Sequence, residues 1–309
     1  MVTTSEVRTE AAFGELEELR DRPSLWKRTR DFGRKQPLGT AGAIVVLIYI
    51  VLAIFAPWIV PFNPIDSDYS AMFTPPGWPY LMGTDEYGRD ILSRVIAGSR
   101  TALFVGFTCA IVGATAGLVF GVAGAYWGGK IDLVFERVNE VLMAFPLIVM
   151  ALAIVSISRT YQVSTEDSVY FVIIAITIPF IPRCARVVRS SALSIREIPY
   201  IDAARANGYS DARIILRHMV PNVMAPYLIM LTAFVGQAIL LEASLSFLGL
   251  GVQDPLPAWG LMLRNAQAYI RTEPWIAIWP GVAISLGVFG FNLFGDAVRD
   301  ALDPRLRSQ

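Results

Sequence analysis

The sequence predicts an all-α, polytopic membrane protein with six transmembrane helices. Three observations lead there. Apolar residues make up 54% of the 309, and the mean hydropathy is +0.51, too high for a soluble chain of this size. The apolar residues gather into six runs, most of them near the ~20 residues that cross a bilayer. Lysine and arginine are distributed unevenly about those runs although the formal net charge is zero.

The first 37 residues are polar and of mixed charge. Phe13, Leu16 and Leu19 fall on or near one side of a short amphipathic helix, and no apolar core precedes a small-residue cleavage site. Lys27, Arg28, Arg30, Arg34 and Lys35 crowd the approach to the first run, as a cytoplasmic anchor does. The runs fall at 38–60, 101–127, 138–157, 169–181, 223–241 and 275–294, and the fourth has apolar character toward Arg186. In the second, Gly113, Gly117 and Gly121 recur every four residues, a stripe for close helix packing. With the N-terminus inside, about 17 Lys and Arg lie near the inner membrane ends against about 6 outside. Both termini are then cytoplasmic.

Between the first two runs, at 61–100, five prolines give an extended, turn-rich external loop. Thr84 or Asp85 can cap an interfacial helix running toward Gly98. A second external loop, 242–274, opens on Glu242 and continues through Phe247 and Leu248 into a glycine-broken apolar stretch. It reads as a scoop-like re-entrant loop, with an interfacial helix from Trp259 to Ile270. No run carries an acid or base near its centre; Glu242 stands at a run end. That opposes an ion-coupled secondary transporter, which needs ionisable groups at mid-membrane. A membrane scaffold has no positive signal. Cys109 and Cys184 fit neither a disulfide framework nor a metal site, and the single histidine excludes a histidine-built centre. No phosphate-binding Gly-x-x-x-x-Gly-Lys-Ser/Thr loop, catalytic triad or nucleic-acid footprint is present.

One polar stretch stands apart, 199–221, PYIDAARANGYSDARIILRHMVP. Pro199 suits a first helical turn, the alanines favour helix, and Gly208 can take positive φ to stop it. Ser210 and Asp211 suit the start of a second short helix, and Pro221 ends or kinks it. The charge bias places this helix–turn–helix in the cytoplasm.

The stretch resembles the EAA loop of ABC-importer permeases: Glu-Ala-Ala, three residues, Gly, nine residues, Ile-x-Leu-Pro. Asp202-Ala203-Ala204, Gly208 and Pro221 match it, with Asp202 for Glu, His218 for Ile and Val220 for Leu. His218 with Pro221-Asn222 resembles the peptide-permease branch, as do Gly83-Thr84-Asp85, Gly88-Arg89-Asp90, Ser93-Arg94, the stretch from Ser246 to Gly251 and the ending DALDPRLR. The resemblance spans about 38–307, nearly the whole chain. It implies the type I ABC-importer permease fold and the C-type permease subunit of a dipeptide/oligopeptide importer in a bacterial plasma (inner) membrane. Relatives moving nickel chelates, haem or glycans share the architecture.

The implied division is a cytoplasmic segment 1–37, a first helix 38–60, an external loop 61–100, a core 101–294 and a cytoplasmic tail 295–309. The implied partners are a B-type permease, two cytoplasmic ATPases holding ATP and Mg, and an extracytoplasmic substrate-binding protein; this chain holds no cofactor and is no enzyme. The resemblance assigns ATPase coupling to Tyr200, Ile201, Asp202, Ala203, Ala204, Arg205, Gly208 and Arg213. It assigns Asp85, Gly88, Arg89, Asp90, Glu242, Phe247 and Leu248 to the outer gate or to binding-protein contact. Caps and local ion pairs are the plainer reading of the Asp85 group.

Overall fold

A computed structural model describes residues 33, 36–159 and 167–302. The N-terminal amphipathic helix and the last seven residues fall outside the described part. Among the described residues the chain is helical apart from an isolated bridge between Thr84 and Asp90. Five helices are long and apolar enough to cross a membrane, and six spans result if one bent pair is counted as one.

Helix α1, Pro37–Ile59, starts on a proline whose missing N–H costs nothing at that position. It leaves Ile44, Leu47, Ile48 and Ile54 exposed, as a helix facing lipid does. Its inner side packs on the last helix, where Tyr49 donates its hydroxyl to the Ala283 carbonyl at 2.7 Å. Residues 60–90 then fold into turns on the outer side.

Helix α2, Ile91–Trp127, is 37 residues long, about 55 Å at 1.5 Å per residue. The sequence suggested an interfacial helix capped by Thr84 or Asp85 and ending near Gly98. Instead Asp90 is the N-cap, accepting from the Ser93 amide at 2.8 Å, and the helix runs unbroken into the second span. Gly98 does not stop it, because a Cβ there would meet the Trp259 indole at 2.7 Å: that glycine allows packing. The stripe works as expected: a Cβ on Gly117 would stand 2.5 Å from the Cβ of Cys184, and one on Gly113 2.8 Å from that of Phe180. Helix α2 thus meets α5, Ser168–Arg196, in the most extensive packing of the fold.

The third run, read as one span, is two helices. Helices α3, Gly129–Ala144, and α4, Leu147–Arg159, meet at 91°. Pro146 lies in the break, lacks an amide donor and holds Phe145 extended. The fourth run is longer than its apolar core suggested. Arg183, Arg186, Arg189 and Arg196, read as members of a cytoplasmic loop, all lie on α5. Hydrogen bonding carries the helix past the end of the apolar run and on through Pro179 and Pro182, which both stand inside it. The last turns are also tied down: Arg189 clamps Asp132 with two bonds of 2.6 Å, and Arg196 donates to the Ala125 carbonyl at 2.9 Å.

Beyond α5 come α6, Pro199–Ala206, and the four-residue α7, Asp211–Ile214. A π turn and a 3-10 turn holding Pro221 lead into α8, Met224–Phe247. The external loop was placed from Glu242 onward, but Glu242 and Phe247 are helical. The break comes at Leu248–Gly249, where Gly249 has φ +81° and the Leu250 amide reaches back to Leu245 at 2.8 Å. Helix α9, Trp259–Ala266, lies where an interfacial helix was expected, but its Trp259 is buried against α2 and Tyr49. Helix α10, Trp275–Leu302, closes the bundle. Cys109 and Cys184 are both buried and unpaired.

Candidate functional site: the cytoplasmic loop and the outer ion cluster

The polar loop 199–221 is built on helix α6. Ile201 and Ala204 are buried, whereas Asp202, Ala203, Arg205 and Ala206 are exposed. A spacing of three residues puts the two buried side chains on one face of a helix. That face seats the helix on its own chain, and the opposite face is presented outward.

The turn after α6 is a Schellman motif. The Gly208 amide bonds the Arg205 carbonyl at 2.9 Å, the Tyr209 amide bonds that of Ala204 at 3.2 Å, and Gly208 has φ +75°. No atom would lie within 4 Å of a Cβ on Gly208, so backbone conformation alone demands glycine there.

The second half of the loop is fastened to the inner end of α2. Asp211 accepts from the Tyr126 hydroxyl at 2.7 Å and from the Trp127 indole at 3.4 Å. Arg205 lies over the Tyr126 ring at 5.2 Å and pairs with Asp202 at 3.2 Å. Arg213 covers Tyr209, whose ring stacks on His218. Asn222 donates to the Tyr200 hydroxyl and to the His218 carbonyl. The polar face is thus held in one shape by aromatic rings and short polar links. Ser210 occupies its expected position but makes no side-chain cap bond.

At the outer end of α2, Asp85, Arg89, Asp90 and Arg94 are all buried. Arg89 bonds Asp85 at 2.6 Å and Asp254 at 2.9 Å, and Arg94 donates to the Pro64 carbonyl at 2.8 Å. Burial opposes the Arg89 charge, but Asp85 and Asp254 outweigh it and hold the guanidinium above its ordinary value. Burial pushes the Glu86 carboxyl up, against its own backbone hydrogen bond, and the Asp85 charge adds to the rise. Gly88 has φ +74°, and a Cβ there would overlap the Asp68 carbonyl. This cluster ties 61–90 to the loop after α8. The side chains of Asp85, Arg89 and Asp90 are thus buried and bonded within the chain.

Glu242 is also buried, and its carboxylate accepts from Ser246 at 2.7 Å. The Ser246 hydroxyl in turn accepts from the Val252 amide, fixing the start of the outer loop. Phe247 and Leu248 are exposed beside it. Sequence reasoning missed Tyr126, Trp127 and Asp254. The two rings at an inner run end were a usable signal; nothing local marks Asp254.

The family model for the binding-protein-dependent transport system inner membrane component matches residues 113–308. The model for the N-terminal transmembrane domain of oligopeptide transport permease C matches residues 24–76. The chain is 43% identical to a putative peptide transport system permease protein of Brucella abortus, over 87% of this chain and 88% of that one. It is 38% identical to a dipeptide transport system permease protein of Alkalihalophilus pseudofirmus, over 92% and 91%. It is also 38% identical to a glutathione transport system permease protein of Escherichia coli, over 92% and 90%. Among solved structures, an inward-facing methionine ABC transporter aligns at TM-score 0.56 and 17% identity, covering 69% of this chain and 98% of that one. That likeness concerns the fold.

Proposed function

The chain belongs to the family of binding-protein-dependent transport system inner membrane components, and from that membership we propose that it forms half of an ATP-driven import pathway for di- or oligopeptides. It is a non-catalytic, multi-pass permease subunit. The proposed assembly pairs it with a second, B-type permease, two cytoplasmic ATPases that bind ATP and Mg, and an extracytoplasmic substrate-binding protein. Both termini are cytoplasmic in this reading, with a tail at 295–309.

The observation that carries the reading is the cytoplasmic loop. Its exposed face, Asp202, Ala203, Arg205 and Arg213, is polar and shaped, and its buried face, Ile201 and Ala204, is anchored. Tyr200 and Gly208 fix its outline. A rigid polar helix at a membrane surface suits docking in a groove of an ATPase. Asp211 then passes movement to Tyr126 and, through unbroken α2, to the outer cluster about 55 Å away. Asp85, Gly88, Arg89, Asp90 and Glu242 hold the outer gate from inside, and Phe247 and Leu248 present a surface there. Peptide import is supported by relatives at 38 to 43% identity that are named for peptide, dipeptide and glutathione transport.

The test is uptake by vesicles holding the reconstituted complex, with loaded binding protein outside, ATP inside and no ion gradient. Radiolabelled dipeptide should accumulate only with ATP. Accumulation that needs a proton or sodium gradient instead would overturn the reading.

A further inference from the structure

We propose that Arg183, deep in helix α5, is a way-station for a substrate carboxylate inside the membrane; this rests on the peptide-import reading above. Arg183 is the sixteenth of the 29 residues of α5. Its neighbour Cys184 packs against Gly117, in the middle of the apolar part of α2. Arg183 therefore stands in a helix long and apolar enough to cross a membrane, just past the end of its most apolar stretch, where a charge is costly.

Two arginines further along α5 show what a structural role looks like here, whereas Arg186 is exposed and has no partner among the described residues. Arg189 is doubly bonded to Asp132, and Arg196 caps the Ala125 carbonyl. Arg183 is half-buried and has no hydrogen bond or ion pair among the described residues. It borders a cavity of about 40 Å³ in the elbow of the bent α3–α4 pair, walled by Met143, Phe145, Leu147, Met150 and Pro179. One water needs only about 10–15 Å³ on that measure, so a carboxylate fits. The walls are apolar, and Arg183 is the cavity's sole charged lining residue.

The chemistry points to one class of ligand. An arginine fork binds a carboxylate through two parallel N–H bonds, and the side-chain carboxylate of an acidic peptide can enter a small cavity without the peptide backbone. Partial enclosure away from bulk water strengthens that contact. A single contact of this kind holds a peptide only briefly, as a pathway requires. Peptides with additional acidic side chains should benefit most, and those with lysine side chains least.

The experiment compares uptake of a Glu-containing and a Lys-containing dipeptide by the reconstituted complex, at concentrations that saturate the binding protein with either. Arg183→Lys keeps the charge and should keep most of the wild-type acidic-to-basic uptake ratio. Arg183→Gln and Arg183→Met should lower that ratio by about tenfold, the loss expected for one charge-assisted contact. An unaltered ratio in either neutral variant that assembles would overturn the proposal. So would a loss of co-purifying partner permease in both, since Arg183 would then be pairing with an acid across the subunit interface. Absence of peptide uptake by the wild-type complex would instead refute the import reading itself.

Discussion

The Gly208 turn allows the coupling role to be tested with a graded perturbation. Gly208 sits at φ +75° with open space where a Cβ would project. Substitution therefore costs conformation and not collision. Holding a residue with a Cβ in the left-handed region costs roughly 1–2 kcal/mol, and less for asparagine, whose side chain tolerates it. That cost lowers the equilibrium constant for forming the Schellman turn by roughly 5–30-fold. The motif's two hydrogen bonds, from Gly208 to Arg205 and from Tyr209 to Ala204, are lost together when the turn opens. If the docked shape of α6 limits coupling, activity should fall in the order wild type, Gly208→Asn, Gly208→Ala, Gly208→Val. The asparagine variant should retain most activity. The alanine variant should lose at most roughly 5–30-fold, following the formed population of the turn, and the valine variant the most. The assay is binding-protein-stimulated ATP hydrolysis and peptide uptake in the reconstituted complex, with subunit stoichiometry checked by co-purification. Equal stimulation across the four proteins, at equal assembly, would refute the idea that the loop's shape transmits force.

Asp202→Lys should leave stability within about 0.5 kcal/mol, because its pair with Arg205 is solvent-exposed, yet abolish stimulated hydrolysis by reversing charge on the docking face. Protease resistance and ATPase rate measured together separate the two effects. Arg89→Ala removes the guanidinium that links Asp85 to Asp254, leaving Asp85 the Tyr87 and Arg89 amides and Arg94, and should destabilise 61–90 by about 1–3 kcal/mol, read as faster proteolysis of 61–90 in the purified subunit. Wild-type resistance would mean that the cluster is not structural. Cysteines introduced one at a time at Ser67 and Ser308 should differ toward an impermeant thiol reagent added outside: Ser67→Cys reacts and Ser308→Cys does not. Labelling of both would contradict cytoplasmic termini.

Much of the molecule was legible because its signals are local. Gly208, Pro199 and the alanines between them specify a helix and its end within one short stretch, and both stand where the sequence puts them. The glycine stripe on α2 announced a close helix contact. It did not say which helix would meet it, since the partner stands far along the chain: Cys184 of α5 reaches the Ala114 carbonyl across 70 positions. Continuity was harder to read than existence. Arg94 and Gly98 look like the inside and the end of a surface helix, yet the tertiary fold buries both and lets α2 run through. The same holds for Arg183: on an apolarity scale it marks the end of a run, whereas α5 carries it past the middle of a long helix.

The sequence by itself determined that the chain carries several membrane-crossing segments and where its polar helix–turn–helix lies. Each follows from the transfer energy of short segments or from turn chemistry. Only the tertiary structure decided the rest. Arg89 finds Asp254 from 165 positions away. Asp211 clasps Tyr126 across 85. The third span breaks at Phe145–Pro146, and one arginine of α5 is left without a partner among the described residues beside that break. Such outcomes depend on which surfaces meet when the helices pack, and packing is a property of pairs of segments that no single segment contains.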